Sequence, residues 1–207
     1  MYTILIVDDE ANLLEVLAVA LENMGYGTVT AETAEEALAV LEEREVHLVL
    51  SDLRLPGLSG RELMEKVKFT VIRGNISEIK TLALGSGTTK GVDADVADAV
   101  TDANLDNAVA FVKDFAAKSG AIVAVTGAID LVSDGKTCYV IRNGLPEMGK
   151  ITGTGCQLSG MMTAFVVANP DNRLEAAAAA VCAMGLAGEI GWSRMQDGDG
   201  NSTYRNR

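Results

Sequence analysis

Residues 64–75 read MEKVKFTVIRGN. An amphipathic helix closes on basic residues, and a β-branched strand follows with no Gly, Pro or Asn between them. The strand then runs straight into Arg73-Gly74-Asn75. A helix-to-strand connection normally carries turn chemistry. Its absence makes Lys68/Phe69 the position on which the rest of the reading depends.

On the N-terminal side, ILIV (4–7) is a short buried-type strand ending in Asp8-Asp9-Glu10. Leu14, Leu17, Ala18 and Leu21 then mark one face of a helix over 11–24. GTVT (27–30) is a second strand, and Thr33 with Glu36 forms a capping box opening a helix through Arg44. HLVLS (47–51) is a third strand, ending at Asp52, and Ser59 with Glu62 caps a helix to about Lys68.

On the C-terminal side, TVIRG (70–74) leads into a helix over 76–84 and a Gly/Ser/Thr loop at 85–91. Leu105, Ala108, Val109, Val112 and Phe115 line a helix that Gly120 terminates. AIVAVTG (121–127) is a fully apolar strand, and the following segment predicts a β-hairpin turning at Asp134-Gly135. TGTGCQ (152–157) opens a helix to about Ala168, and an Ala-rich helix covers about 172–195. The tail GDGNSTYRNR (198–207) is polar and expected to be loosely held. Strands alternating with helices predict a three-layer α/β/α sandwich with a mostly parallel sheet and one hairpin. With no linker-like stretch, residues 1–207 read as a single continuous domain.

Composition narrows the function classes. Of 207 residues, 48% are hydrophobic and 4% aromatic, the aliphatic filling of parallel sheets covered by helices. A net charge of −12 argues against nucleic-acid partners, which need Lys and Arg to neutralise phosphates. The apolar run 174–190 is broken by Glu175 and Glu189, and the acidic start is unlike a signal peptide. A cytoplasmic protein with no membrane partner is expected. Cys138, Cys156 and Cys182 lack metal-site spacing and His47 is the only histidine, so free thiols are expected rather than a zinc site.

Two constellations carry chemistry. Asp8 and Asp9 follow the first strand and Asp52 the third. In strand order 2-1-3 these carboxylates converge, and Mg²⁺ is the natural occupant; the plainer reading is that strand-end aspartates cap helices. In the second, TGTGC places two glycines at a helix start, where free N–H groups and the helix dipole favour an anion such as a phosphate ligand. A tight turn needing glycine dihedrals is the alternative. Cys156, in the first turn, is placed to act as a base or nucleophile, or as a small buried apolar residue. Asn75 and Glu78 form a capping box whatever the protein does.

ILIVDDE, HLVLSDLRLPGLSG and ELMEKVK, within residues 1–68, resemble response-regulator receiver domains of the nitrogen-regulator type, a flavodoxin-like fold. The resemblance implies a Mg²⁺ pocket of Asp8, Asp9 and Asp52, with Asp52 as phospho-acceptor and the Arg54 carbonyl on the metal. The family's switch hydroxyl and its Lys before Pro have no counterpart. TVIRGNISEI, AIVAVTGAIDLVSDGKTCYVIRNG and ITGTGCQLS, within residues 69–207, resemble the C-terminal half of ribokinase-like hydroxyethylthiazole kinases of thiamine salvage. That likeness implies ATP contacts from Arg73 and Thr126, Mg²⁺ and phosphate organised by Asn75 and Glu78, and an anion hole at Gly153, Thr154 and Gly155. It places Cys156 where related kinases carry a catalytic aspartate.

Two truncated resemblances meeting at Lys68/Phe69 lead to the expectation of a recombinant chimera. It would be a folded scaffold without efficient native activity, with the parental trimer lost and weakened ATP and Mg²⁺ sites. An ATP-dependent hydroxyethylthiazole kinase is the alternative, and a phospho-accepting receiver module the second.

Overall fold

The computed structural model describes residues 2–51, 55–58, 67–84 and 99–206. Asp52, Arg54, the helix expected over 59–68 (through residue 66) and the whole loop at 85–91 lie outside them, with any role assigned there. The chain divides into two compact units, Met1–Lys68 and Phe69–Arg207. Among the described residues the strands form two sheets, ordered β2-β1-β3 and β4-β5-β6-β7. The expectation of one sheet is corrected accordingly. The alternation of strands and helices, from which that expectation came, does not say which strands pair.

In the first unit, β1 (Thr3–Val7) lies between β2 (Gly27–Ala31) and β3 (Leu48–Ser51), parallel to both. Alternation along β1 supplies two cores. Leu5 and Val7 pack with Ala34 and Ala37 of α2 (Ala34–Glu43), whereas Ile4 and Ile6 pack with Leu14 of α1 (Ala11–Asn23). The Thr33 side chain accepts from the Glu36 N–H at 3.2 Å, as the capping box predicts. Its return arm reaches one residue further, with the Glu32 N–H donating to Glu36 Oε2 at 2.8 Å. His47 serves the fold of this unit. Its Nδ1 accepts from the Thr3 N–H at 3.2 Å, and its ring meets Tyr2 edge-on.

In the second unit, β4 (Val71–Asn75) runs parallel to β5 (Ile122–Thr126), and β6 (Asp130–Ser133) and β7 (Cys138–Ile141) continue antiparallel. Helix α3 (Ile76–Leu84) leaves β4 directly, and α4 (Leu105–Ser119) precedes β5. The hairpin turns where predicted. Gly135 adopts φ +91°, and a Cβ there would stand 2.8 Å from the Ala117 backbone nitrogen, so both conformation and contact require glycine.

Ile122 and Ala124 of β5, with Val132 and Ile141, pack against α5 (Thr154–Ala168) and α6 (Arg173–Ser193). By length and composition α6 could cross a membrane. Its Ala176, Ala177, Ala180 and Val181 belong instead to this core, and the small residues let α6 approach the sheet closely.

The tail differs from expectation. Residues Asn201–Asn206 form a short helix, α7, in which Tyr204 is 5% exposed. Its hydroxyl donates to the Gly188 carbonyl at 2.9 Å, and its ring meets Trp192 edge-on at 5.2 Å. One aromatic with a hydrogen-bonding tip outweighs the polar residues around it.

Candidate functional site

Strands β4 and β5 end level, with Asn75 opposite Thr126. Ligands in parallel sheets collect beyond such carboxyl ends. Arg73 Nη2 donates to Thr126 Oγ1 at 2.7 Å. The same guanidinium lies against the first turn of α5: a Cβ on Gly155 would sit 2.9 Å from Nη1 and 3.0 Å from Nη2. Glycine at that position is what lets the arginine approach. Arg73 Nε is buried with no hydrogen-bond partner.

Helix α5 begins after Gly153, whose φ of 91° turns the chain into it, and no side chain caps it. Its first N–H groups have no partner within the helix, and the dipole makes this end positive. A guanidinium held there places like charges together. An anion between them would relieve both.

These groups face a cavity of about 520 Å³, within the range of small-molecule sites. Arg73, Thr126, Thr154 and Gly155 supply polar wall, while Leu145, Met148, Leu158, Val181 and Met184 supply apolar wall. Asp130 also lines it, and its Oδ1 accepts from the Gly127 N–H at 2.8 Å. Burial pushes the Asp130 carboxyl above the ordinary carboxylate range, against the lowering effects of that N–H and of the Arg73 charge.

Four expected residues thus share one cavity, whereas Gly153, Cys156, Asn75 and Glu78 of the same unit are not among its lining residues. Gly153 is the residue before α5, and Cys156 is exposed in the first turn. Asn75 and Glu78 bond to each other: the Asn75 N–H donates to Glu78 Oε2 at 2.7 Å, and the Glu78 N–H to Asn75 Oδ1 at 2.9 Å. That is the capping box, which leaves Glu78 Oε1 for any cation. In the first unit Asp8 Oδ1 accepts from the Glu10 N–H at 2.9 Å, shaping the entry to α1, and Asp9 is exposed. Among the described residues, no group of three or more His, Cys, Asp or Glu is placed to hold a metal ion.

Sequence reasoning missed Asp130 and Asn143. Asn143 donates through Nδ2 to the Cys182 carbonyl at 2.8 Å, while its Oδ1 is buried and unpaired. Asn143-Gly144 reads as ordinary turn chemistry. Asp130 begins a strand, where a carboxylate draws no notice.

The model of the Hydroxyethylthiazole kinase family matches residues 10–205. A hydroxyethylthiazole kinase of Clostridium acetobutylicum is 50% identical over 192 residues, covering 89% of this chain and 70% of the relative. Against the Clostridium botulinum relatives the chain spans about half of their length. The solved hydroxyethylthiazole kinase of Pyrococcus horikoshii OT3 matches with TM-score 0.59 at 21% identity, over 98% of this chain and 84% of that one; the likeness is one of α/β fold. A receiver domain from Clostridium thermocellum matches 33% of this chain and 56% of its own at 30% identity, with TM-score 0.32.

The family match extends well to both sides of Lys68/Phe69, and this overturns the reading of the chain as a receiver joined to half a kinase. The inactive-scaffold expectation falls with it. Its physical basis was thin, since an acidic strand end serves helix entry as readily as a metal, and Asp8 is seen doing the former. The chain belongs to the hydroxyethylthiazole kinase family.

Proposed function

We propose that the chain transfers the terminal phosphoryl group of ATP to the hydroxyl of a hydroxyethylthiazole, the activity for which its relatives are named. The observation that carries this reading is the Arg73 guanidinium, held by Thr126 and set against the uncapped start of α5 with its Nε unpaired. Two positive groups converge there on a cavity large enough for a small molecule, which suits a polyphosphate. Phosphoryl transfer needs chiefly positioning and charge neutralisation, and these parts supply both.

In this reading Arg73 and Thr126 orient the phosphates, and the N–H groups of Thr154 and Gly155 receive charge on the transferred group. Cys156, acting as the thiolate, takes the proton as the alcohol oxygen bonds to phosphorus and the bond to ADP breaks. Magnesium keeps several waters and binds through one or two carboxylates plus phosphate oxygens. Glu78 through Oε1 would be a carboxylate for the ion, which would shield the phosphate charge. Calorimetric titration with Mg·ATP, followed by turnover of hydroxyethylthiazole, tests the reading. Micromolar affinity and turnover lost in Cys156→Ala are expected. Absence of heat with Mg·ATP overturns it.

A further inference from the structure

Parallel strands are ordinarily covered by helices on both faces. In the first unit α1 packs on β1 and β2, and Thr28 Oγ1 donates to Glu22 Oε1 at 2.6 Å, which ties one flank of the helix to β2. At about 100° per residue the opposite flank carries Leu13, Leu17 and Ala20, with Val16 beside them, and so turns toward β3. Leu13 is 38% exposed and Val16 65%. Leu48 and Leu50 of β3 pack on the same cluster as α1 and are only half-buried. Among the described residues of this unit α1 is the only helix in that cluster, while α2 packs on Leu5 and Val7 across the sheet.

An open apolar step results, with the flank of α1 as one wall and the face of β3 as the other. Leu13, Val16, Leu17 and Ala20 recur at i, i+3, i+4 and i+7, the spacing with which one helix receives another. Single exposed apolar residues are ordinary on a surface, whereas a continuous strip marks an interaction site. Charge selects what covers it. Residues 1–43 contain ten Asp or Glu and no Lys or Arg. Asp9 and Glu10 are exposed at the head of α1, and Glu15 is exposed along it. A second copy of the chain would set carboxylates against carboxylates, and like charges across an interface exclude a partner. We propose that the step between α1 and β3 docks an amphipathic helix of a partner protein whose polar face is basic. Its apolar face fills the step, and its Lys and Arg side chains meet the surrounding carboxylates. The surface is built from the first unit alone and owes nothing to the kinase reading.

The test is fluorescence anisotropy of the whole chain with two labelled helical peptides. Both carry leucines at i, i+3, i+4 and i+7; one has lysines at the remaining positions and the other glutamates. The lysine peptide is expected to bind at least about 10-fold more tightly than the glutamate peptide, with affinity falling as salt rises. Leu13→Ser combined with Val16→Ser is expected to weaken it roughly 10-fold. Val19→Ser, on the β2 side of the exposed face, is expected to leave it unchanged. Melting temperatures of the variants confirm folding. Equal weakening by both variants would mean that the acidic surface attracts the peptide without a built step, and overturns the proposal. So does equal binding of the two peptides, or binding of neither. A chain that sediments as a dimer, dissociated by Leu13→Ser with Val16→Ser, would make a second copy the occupant and overturn it as well.

Discussion

Replacing Gly155 by alanine separates what the first turn of α5 does for folding from what it does for the ligand. The new Cβ would lie 2.9 Å from Arg73 Nη1 and 3.0 Å from Nη2. Ordinary contact is ~3.5 Å, so the guanidinium must retreat by about 0.5 Å. Its bond to Thr126, now 2.7 Å, would then stretch to the limit of about 3.2 Å or break. Alanine is otherwise the better helix residue, by up to ~1 kcal/mol, and the atom displaced is the end of a flexible side chain. The ligand-free melting temperature is therefore expected to fall only slightly, the helix gain partly offsetting the weakened Thr126 bond. A hydrogen bond from a charged group contributes about 1.5–3 kcal/mol, so Mg·ATP affinity should fall roughly 10- to 100-fold at 1.4 kcal/mol per decade. Calorimetry on both proteins, with melting curves, is the assay. Wild-type affinity in Gly155→Ala would refute the placement of Arg73 in the phosphate site, and a large fall in ligand-free stability would refute the separation of roles.

Three further outcomes are expected. Burial raises the folded pKa of Asp130 above its ordinary 3.8, so the native state disfavours the charged form. The wild-type chain therefore gives up stability as pH rises from 3.8 through the raised value. Asp130→Asn should be the more stable protein at neutral pH and lose that advantage below 3.8; parallel denaturant curves at both ends would check it, and a constant difference would disprove it. Gly135→Ala forces a side chain into φ +91° and against the Ala117 backbone at 2.8 Å, and should cost about 2–5 kcal/mol of unfolding free energy. Tyr204→Phe loses only the bond to Gly188 and should cost about 1 kcal/mol, whereas Tyr204→Ala also empties a buried aromatic site at ~3–5 kcal/mol.

Local structure was legible because it depends on local physics. Thr33 caps where its spacing to Glu36 says, Gly135 turns the hairpin, and the short apolar runs are strands. Thr126, Thr154 and Gly155 could be picked out because each lies at a strand end or helix start, whereas Arg73, expected at a strand end, sits in the middle of β4. Sheet membership was not legible, since pairing is set by contacts between segments far apart in sequence. Asn143 shows a second limit: its importance lies in an oxygen left unpaired after packing, and no residue pattern encodes that. Kinship was misread for a related reason. Short strand-end motifs such as VDDE satisfy helix entry in many parallel sheets, so likeness there weighs less than a match extending to both sides of Lys68/Phe69.

Trp192 is the only tryptophan in the chain, and it stands in α6 against Tyr204, 38% exposed. The second unit therefore carries its own indole reporter, and the first carries none. Indole emission during denaturation reports on the second unit, where Trp192 packs against Tyr204, while far-ultraviolet circular dichroism follows both units. Two coincident curves would mean a single cooperative transition, and two separated ones would assign a stability to each unit from one sample.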